Sequence, residues 1–421
     1  MVDVGGKNSF FIQGDGALWA WGDNEDGKLG DGTDISSGVP KKIGFFATVS
    51  AGPMNTAAIQ ADSTLWAWGA NSYSGPGDFY DATTFRPRKI GSGFASVAVN
   101  GHSLREYAVA IKTDTTLWAW GRNSSGQMGS STIVPAYAPK LMGTGFASAS
   151  VGAEHTVALK TDGNLWAWGN NSYGQLGDGT NIHSSVAKLV GSHFIGVSAG
   201  GEHTVALKTD GTLWAWGRNN FGQIGDGTTV DSNSPKLIAT GFVSVVAGTN
   251  NTFAIKADGS LWAWGANFSG SLGDGSLSVS AVPKKIGYDF VSVSSGLHHT
   301  IALKTDGSVW AWGDNAKGQL GDGSVVESVM PKKIIPGLAS GENIAACIFG
   351  WAERNFSGFF PVAGSVAGSL EGYVYRYYPN SGNYLGRSQS SNHILVFGPS
   401  SRNELLDLGS MDTWAATAGC H

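Results

Sequence analysis

Between Val197 and Phe242 apolar and polar positions alternate with a period of two: Val205 and Leu207 lead into Asp210-Gly211, then come Leu213, Trp214 and Trp216. This alternation predicts short, half-buried β-strands, and Asp-Gly between two such runs predicts a tight hairpin. An apolar segment ending Ser198-Ala199-Gly200 precedes the hairpin and Pro235-Lys236-Leu237-Ile238 follows it. The unit therefore reads as an antiparallel sheet of about four short strands.

The same unit recurs. Trp-Ala-Trp-Gly begins at Trp19, Trp66, Trp118, Trp166, Trp214, Trp262 and Trp310, in steps of 47, 52, 48, 48, 48 and 48 residues. One small sheet cannot bury both of its faces, whereas radial stacking sets every sheet against two neighbours. The expected fold is all-β: a seven-bladed β-propeller of four-stranded antiparallel blades, with a small β-rich C-terminal appendix. Both tryptophans of each motif, the seven just named and Trp21, Trp68, Trp120, Trp168, Trp216, Trp264 and Trp312, are expected to pack between blades.

Composition agrees with many turns and little surface charge. The chain has 63 Gly, 16 Trp and 14% charged residues, against an average of about 7% Gly and about 25% charged. Gly163, Gly211, Gly259 and Gly307 fill the turn position that favours positive φ. Ser63 and Thr115 stand there in the second and third copies, so those turns are expected to be looser or bulged.

The net charge of -5, with no basic cluster beyond pairs such as Lys41-Lys42, disfavours nucleic acid. No apolar run approaches the roughly 18 residues of a membrane span, and the first residues do not read as a signal peptide. The chain opens inside a repeat, so an upstream segment is expected. Cys347 and Cys420 allow at most one disulfide, or two inert thiols.

Three repeated positions are candidates for chemistry. His155, His203 and His299 could ring a metal, but Asn8, Asn55, Asn251 and Asn343 fill the same slot elsewhere, which favours a structural hydrogen bond to a neighbouring blade. Asp178, Asp226, Asp274 and Asp322 lie in Gly-Asp-Gly turns without the spacing of a calcium loop, so turn chemistry is the better account. The positions before the His/Asn slot vary, and on a propeller they fall in a circle on one face. Lys7, Glu154, Glu202, Asn250 and His298, with Arg105 from an insertion in the third copy, are the candidate binding residues, against drift at exposed surface positions.

The repeat falters near Pro336, although Ser340 to Ile348 still reads as half a copy. The expected domains are a propeller over 1–338, a partial repeat over 339–354 that closes the ring or starts another blade, and a small β-rich module over 355–421. In that module Tyr373 to Gly386 reads as a hairpin and Ile394 to Phe397 as a strand, with Leu405 to Trp414 unassigned. Tyr373, Tyr375 and Tyr377 share a strand face, as core or as a sugar platform.

The combination Ala199-Gly200-x-x-His203-Thr204, Leu213-Trp214-Ala215-Trp216-Gly217 and Gly222-Gln223-Ile224-Gly225-Asp226-Gly227 resembles the repeat of the regulator of chromosome condensation family, from residue 1 to about 338. The resemblance implies the seven-bladed fold. Its eukaryotic founder exchanges guanine nucleotide on the small GTPase Ran and binds chromatin; relatives include a plant ultraviolet-B photoreceptor and a bacterial inhibitor of β-lactamases. The photoreceptor's interface motif, Gly-Trp-Arg-His-Thr, is replaced here by Gly200-Gly201-Glu202-His203-Thr204 and its equivalents, which removes the light-sensing chemistry. The near-identical repeats resemble the bacterial, secreted branch, so an extracellular or periplasmic location is expected, with the cytoplasm as alternative. The expected function is a non-enzymatic scaffold without cofactor that binds a protein through one face of the disc. Guanine-nucleotide exchange on a small GTPase is the alternative, and a hydrolase with its site in the channel a remote one.

Overall fold

The computed structural model describes residues 1–70, 83–100 and 106–335, together with the backbone of five strands between 366 and 410. The chain divides into two compact units. The first is a seven-bladed β-propeller whose blades span 2–45, 48–91, 94–143, 146–191, 194–240, 242–287 and 290–335. Every blade is a four-stranded antiparallel meander in chain order, its first strand innermost and its fourth on the outside.

The fifth blade shows why. Its two middle strands, His203–Lys208 and Thr212–Gly217, are buried along nearly their whole length, whereas the outer strand Ser232–Thr240 is half-buried to exposed beyond Ser232. In register, Ala206 stands opposite Trp214, so a small residue leaves room for the indoles on that face. Val157, Leu159, Leu165 and Ala167 of the fourth blade press on Ala206 and Trp216 of the fifth, and the same arrangement builds the other interfaces. Trp216 is fully buried and its Nε1 donates to the Gln175 carbonyl of the preceding blade at 3.0 Å. A Cβ on Gly177 (φ 74°) would stand 2.6 Å from that nitrogen, so the approach requires glycine.

The two tryptophans of each motif are thus unequal. Trp21, Trp68, Trp120, Trp168, Trp216, Trp264 and Trp312 are buried; Trp19, Trp66, Trp118, Trp166, Trp214, Trp262 and Trp310 are half-buried. Nε1 of Trp214 donates to Thr212 of its own hairpin at 2.8 Å, and the Lys208 ammonium lies 4.5 Å from its ring centroid.

The seam between first and seventh blades is made as the others are. Trp21 Nε1 donates to the Gln319 carbonyl at 2.9 Å, and Ser9 Oγ bonds His299 Nε2 at 2.9 Å. Around the channel, Ser50, Ser150, Ser198 and Ser294 hydroxyls accept backbone N–H groups of the next innermost strand. Asp3 takes the serine's place in the first blade and bridges both neighbours, accepting from Ala51 N–H at 2.7 Å and from Ser294 Oγ at 2.9 Å. Ser340 to Ile348, expected to close the ring or start another blade, lie outside the described residues, as do Cys347 and Cys420.

The expectation for the Ser63 and Thr115 turns is corrected. Both residues take the left-handed conformation of the glycines they replace, at φ 63° and 67° against 75° for Gly211. Their N–H groups close the same turns, at 3.0 and 2.9 Å. The geometry is kept and strain is accepted instead of a looser turn.

The second unit contains a five-stranded antiparallel sheet in chain order: Val366–Leu370, Tyr373–Tyr378, Asn383–Ser388, His393–Phe397 and Leu405–Ser410. Tyr378 pairs with Asn383 and Phe397 with Leu405, so the expected hairpin is present and the unassigned segment carries a strand. The side-chain role of Tyr373, Tyr375 and Tyr377 lies outside the described features.

Candidate functional site

Among the described residues, one face of the propeller carries the hairpins joining the first and second strands of the blades and the long loops joining the third and fourth. In the hairpin, Gly200 has no room for a side chain: a Cβ would lie 2.3 Å from His203 Cε1 and 2.5 Å from the Gly248 carbonyl. Successive hairpins are joined by backbone bonds, Ala153 N–H to Gly201 O at 2.9 Å and Gly201 N–H to Thr249 O at 3.0 Å. These bonds link the hairpins of the fourth, fifth and sixth blades.

The histidine slot lies beneath these hairpins. His155, His203 and His299 are fully buried, and their Nε2 atoms bond Thr204 Oγ1, Thr252 Oγ1 and Ser9 Oγ of the next blade at 3.0, 3.0 and 2.9 Å. Burial holds the His299 imidazole down at about 4, Asp314 opposing this. These rings tie blades together. In the loop turns, Asp226 Oδ1 accepts from Thr228 N–H at 3.0 Å and Oδ2 from Lys236 Nζ at 2.7 Å.

Among the described residues, six of these loops are organised by a residue that the sequence pattern did not single out. Asn24, Asn123, Asn171, Asn219, Asn267 and Asn315 are all fully buried. Asn219 Nδ2 donates to the carbonyls of Thr228 and Val230 at 3.0 and 3.1 Å, while its Oδ1 accepts from Ile224 N–H at 2.9 Å. The recurrence of Asn two residues after Trp-Ala-Trp-Gly was the available signal.

The candidate rim residues Lys7, Glu154, Glu202, Asn250 and His298 all lie on this face, and all are half-buried rather than freely exposed. Arg105 lies outside the described residues. Each rim residue is held beside the first residue of its blade's long loop: Asp23, Asn170, Arg218, Ala266 and Asp314 donate their N–H groups to the carbonyls of Lys7, Glu154, Glu202, Asn250 and His298. Side chains follow. Glu202 pairs with Arg218, and Glu154 Oε2 accepts from Asn170 at 3.2 Å. Burial works against the Arg218 charge, but Glu202 outweighs it and raises the guanidinium above its ordinary value. Variation at the rim is thus matched by variation in the adjacent loop, and the view of Glu154 and Glu202 as exposed charges is corrected.

Loop side chains extend the rim into an aromatic arc over the fourth to seventh blades. The Arg218 guanidinium lies 4.7 Å from the Tyr173 ring centroid. Phe221 and Phe268 meet edge to face at 5.2 Å, and Phe268 meets the His298 ring at 5.7 Å. Phe268 remains 43% exposed. Across the seam the character changes to paired charge: Lys28 Nζ bonds Asp23 at 2.7 Å and Lys317 Nζ bonds Glu25 at 2.8 Å. Burial lowers the His298 imidazole, which Asp314 opposes and Lys7 reinforces, so the structure brings Lys7 and His298 into one electrostatic neighbourhood.

Fold and face together define a seven-bladed β-propeller that gathers its variable loop residues over one face of the disc. The RCC1-like domain model matches residues 105–352, more than half of the chain, and the Regulator of chromosome condensation (RCC1) repeat matches 15–59. The chain belongs to the RCC1-like domain family. Among solved structures, Prp20p from Saccharomyces cerevisiae is similar at 21% identity and a TM-score of 0.69, over 78% of this chain and 88% of that one. Human WBSCR16 is similar at 21% identity and a TM-score of 0.67, over 76% and 94%. No curated protein sequence matches the chain.

Proposed function

We propose that the propeller binds a protein partner through its hairpin face, anchored on the arc of Tyr173, Arg218, Phe221, Phe268 and His298, and that it works by binding rather than by catalysis. The observation that carries this reading is the arc itself: Arg218 over the Tyr173 ring, and Phe221, Phe268 and His298 packed edge to face, partly open on the loops and hairpins of four adjacent blades. Aromatic residues and arginine are the groups that dominate protein interfaces. The yeast relative is described together with its binding to Gsp1p and histones, and also in complex with Kap60, so protein partners are a use to which this fold is put.

The test is affinity capture from an extract of the source organism, followed by titration of the captured protein against the parent and a Phe221→Ala, Phe268→Ala double variant. Loss of affinity of about thirtyfold or more is expected for interface anchors. Unchanged affinity would move the interface elsewhere. Accelerated release of labelled guanine nucleotide from a captured GTPase would favour the exchange reading.

A further inference from the structure

Away from the hairpin face, at the other end of the strands, a cavity of about 520 Å³ opens between the second and third blades. The second blade contributes Lys89, from its outer strand Thr84–Gly91, and Ser92 just beyond it; the third contributes Lys112 and Trp118. Arg88 lines the cavity too, and no carboxylate among the described residues does. The Lys112 ammonium is held over two rings, 4.4 Å from the Trp118 centroid and 5.1 Å from that of Phe94. Asp62 and Asp114, the carboxylates that feel these two lysines, are tied into their own turns by the Thr64 and Thr116 hydroxyls at 2.6 Å.

Comparison among the blades sets this groove apart. Lys89 stands opposite Trp66 in register, and in the third, fourth and fifth blades the same place is taken by Leu141, Leu189 and Leu237. Later blades keep the lysine of position 112, but the first and second have Gln13 and Gln60 there. Two such lysines therefore come together only after the second blade and after the sixth. After the sixth, Tyr288 stands where Ser92 does, and Lys285 Nζ donates to its hydroxyl at 2.6 Å and lies 4.6 Å from its ring centroid. One of those two charges is thus already engaged. Beside Lys89 there is a serine instead, and the lysine remains exposed.

We propose that the groove between the second and third blades binds a phosphate monoester of a small organic molecule, independently of the protein interface on the opposite face. Two ammonium groups in a lining without carboxylates call for an anion of about two charges, which a phosphate monoester carries near neutral pH. Lysine meets phosphate as a point charge, and Lys112 is already fixed in place by its rings, so little freedom is lost on binding. The Ser92 hydroxyl adds a further donor. The cavity falls within the roughly 300 to 1,000 Å³ of small-molecule sites. That is more than one phosphate fills, which leaves Phe94, Trp118 and Pro139 to meet the organic part.

Phenyl phosphate is the probe. Two charge-assisted hydrogen bonds in an open groove correspond to half-saturation near about 1 mM, read by saturation-transfer NMR on the full chain, with inorganic phosphate and benzoate as competitors. Both competitors are expected to bind at least about tenfold more weakly, the first for want of the ring and the second for want of a charge. Lys89→Leu and Lys112→Gln should each weaken phenyl phosphate at least about tenfold. Both chains should melt near the parent, because other blades carry leucine and glutamine at these positions. Lys42→Leu, the same change as Lys89→Leu made in the first blade, should leave binding unchanged. No binding of phenyl phosphate at about 10 mM, or equal binding by Lys89→Leu and Lys112→Gln, would overturn the proposal. An equal loss in Lys42→Leu would reduce it to general charge attraction, and equal affinity for benzoate would reject the doubly charged ligand.

Discussion

Trp214 and Trp216 stand two residues apart in identical motifs and do different work. Trp216→Ala removes a fully buried indole and leaves the Gln175 carbonyl with the Thr204 hydroxyl as its remaining side-chain donor, so a loss of about 4 kcal/mol is expected, most of it from the cavity. Trp214→Ala exposes a site that is already half open and should cost about half as much. Chemical denaturation of the two variants, with unchanged slope, checks the order. Asn219→Ala should cost about 2 kcal/mol or more, because it leaves the Thr228 and Val230 carbonyls and the Ile224 N–H unsatisfied. That residue was not legible as structural, since a polar side chain in a polar loop reads as solvated until its partners are seen. The rim was partly legible. Its positions and common face followed from the repeat, but the pairing of Glu202 with Arg218 joins positions sixteen residues apart that no local pattern connects.

At the scale of single elements, the repeat made the blade readable because strand alternation, turn chemistry and spacing all point the same way. The one misjudged element is instructive. The turns at Ser63 and Thr115 are held by the rest of the blade, so the chain accepts positive φ without glycine rather than altering the turn. Thr115→Gly should therefore stabilise the propeller by about 1 kcal/mol, seen as a raised denaturation midpoint. Gly211→Thr, the reverse change in the fifth blade, should lower it by a similar amount. The aromatic arc was not legible, because Tyr173, Phe221 and Phe268 sit at different offsets in their loops and become neighbours only when blades stand side by side.

For the whole ring, the first blade carries Asp3 at the channel position that serine holds in four other blades. Burial pushes its carboxyl up to about 6, against the bonds from Ala51 N–H and Ser294. A carboxyl raised above its unfolded value of about 3.9 contributes stability that is present below that value and lost as pH rises through about 6. Asp3→Asn should flatten the melting temperature across that window. The loop aspartates act in the opposite sense. Burial pushes the Asp31 and Asp322 carboxyls up, but bonds from Lys41 and Thr33, and from Lys332 and Ser324, outweigh it and hold both at about 2. Their contribution is present above about 3.9 and lost as pH falls through about 2, so acid unfolding should survive in Asp3→Asn and separate the two effects.

The unequal tryptophan pairs also give the molecule an optical signature. Seven indoles are sealed between blades, while half-exposed ones such as Trp118, Trp166, Trp214 and Trp262 each lie beneath a lysine ammonium. Iodide, an anionic quencher, is drawn to those ammonium groups and shut out of the interfaces. Emission of the folded chain should divide into a red-shifted fraction that iodide extinguishes and a blue-shifted fraction that it leaves untouched. The second fraction becomes quenchable only when blades part, so the unlabelled protein reports the opening of its own ring.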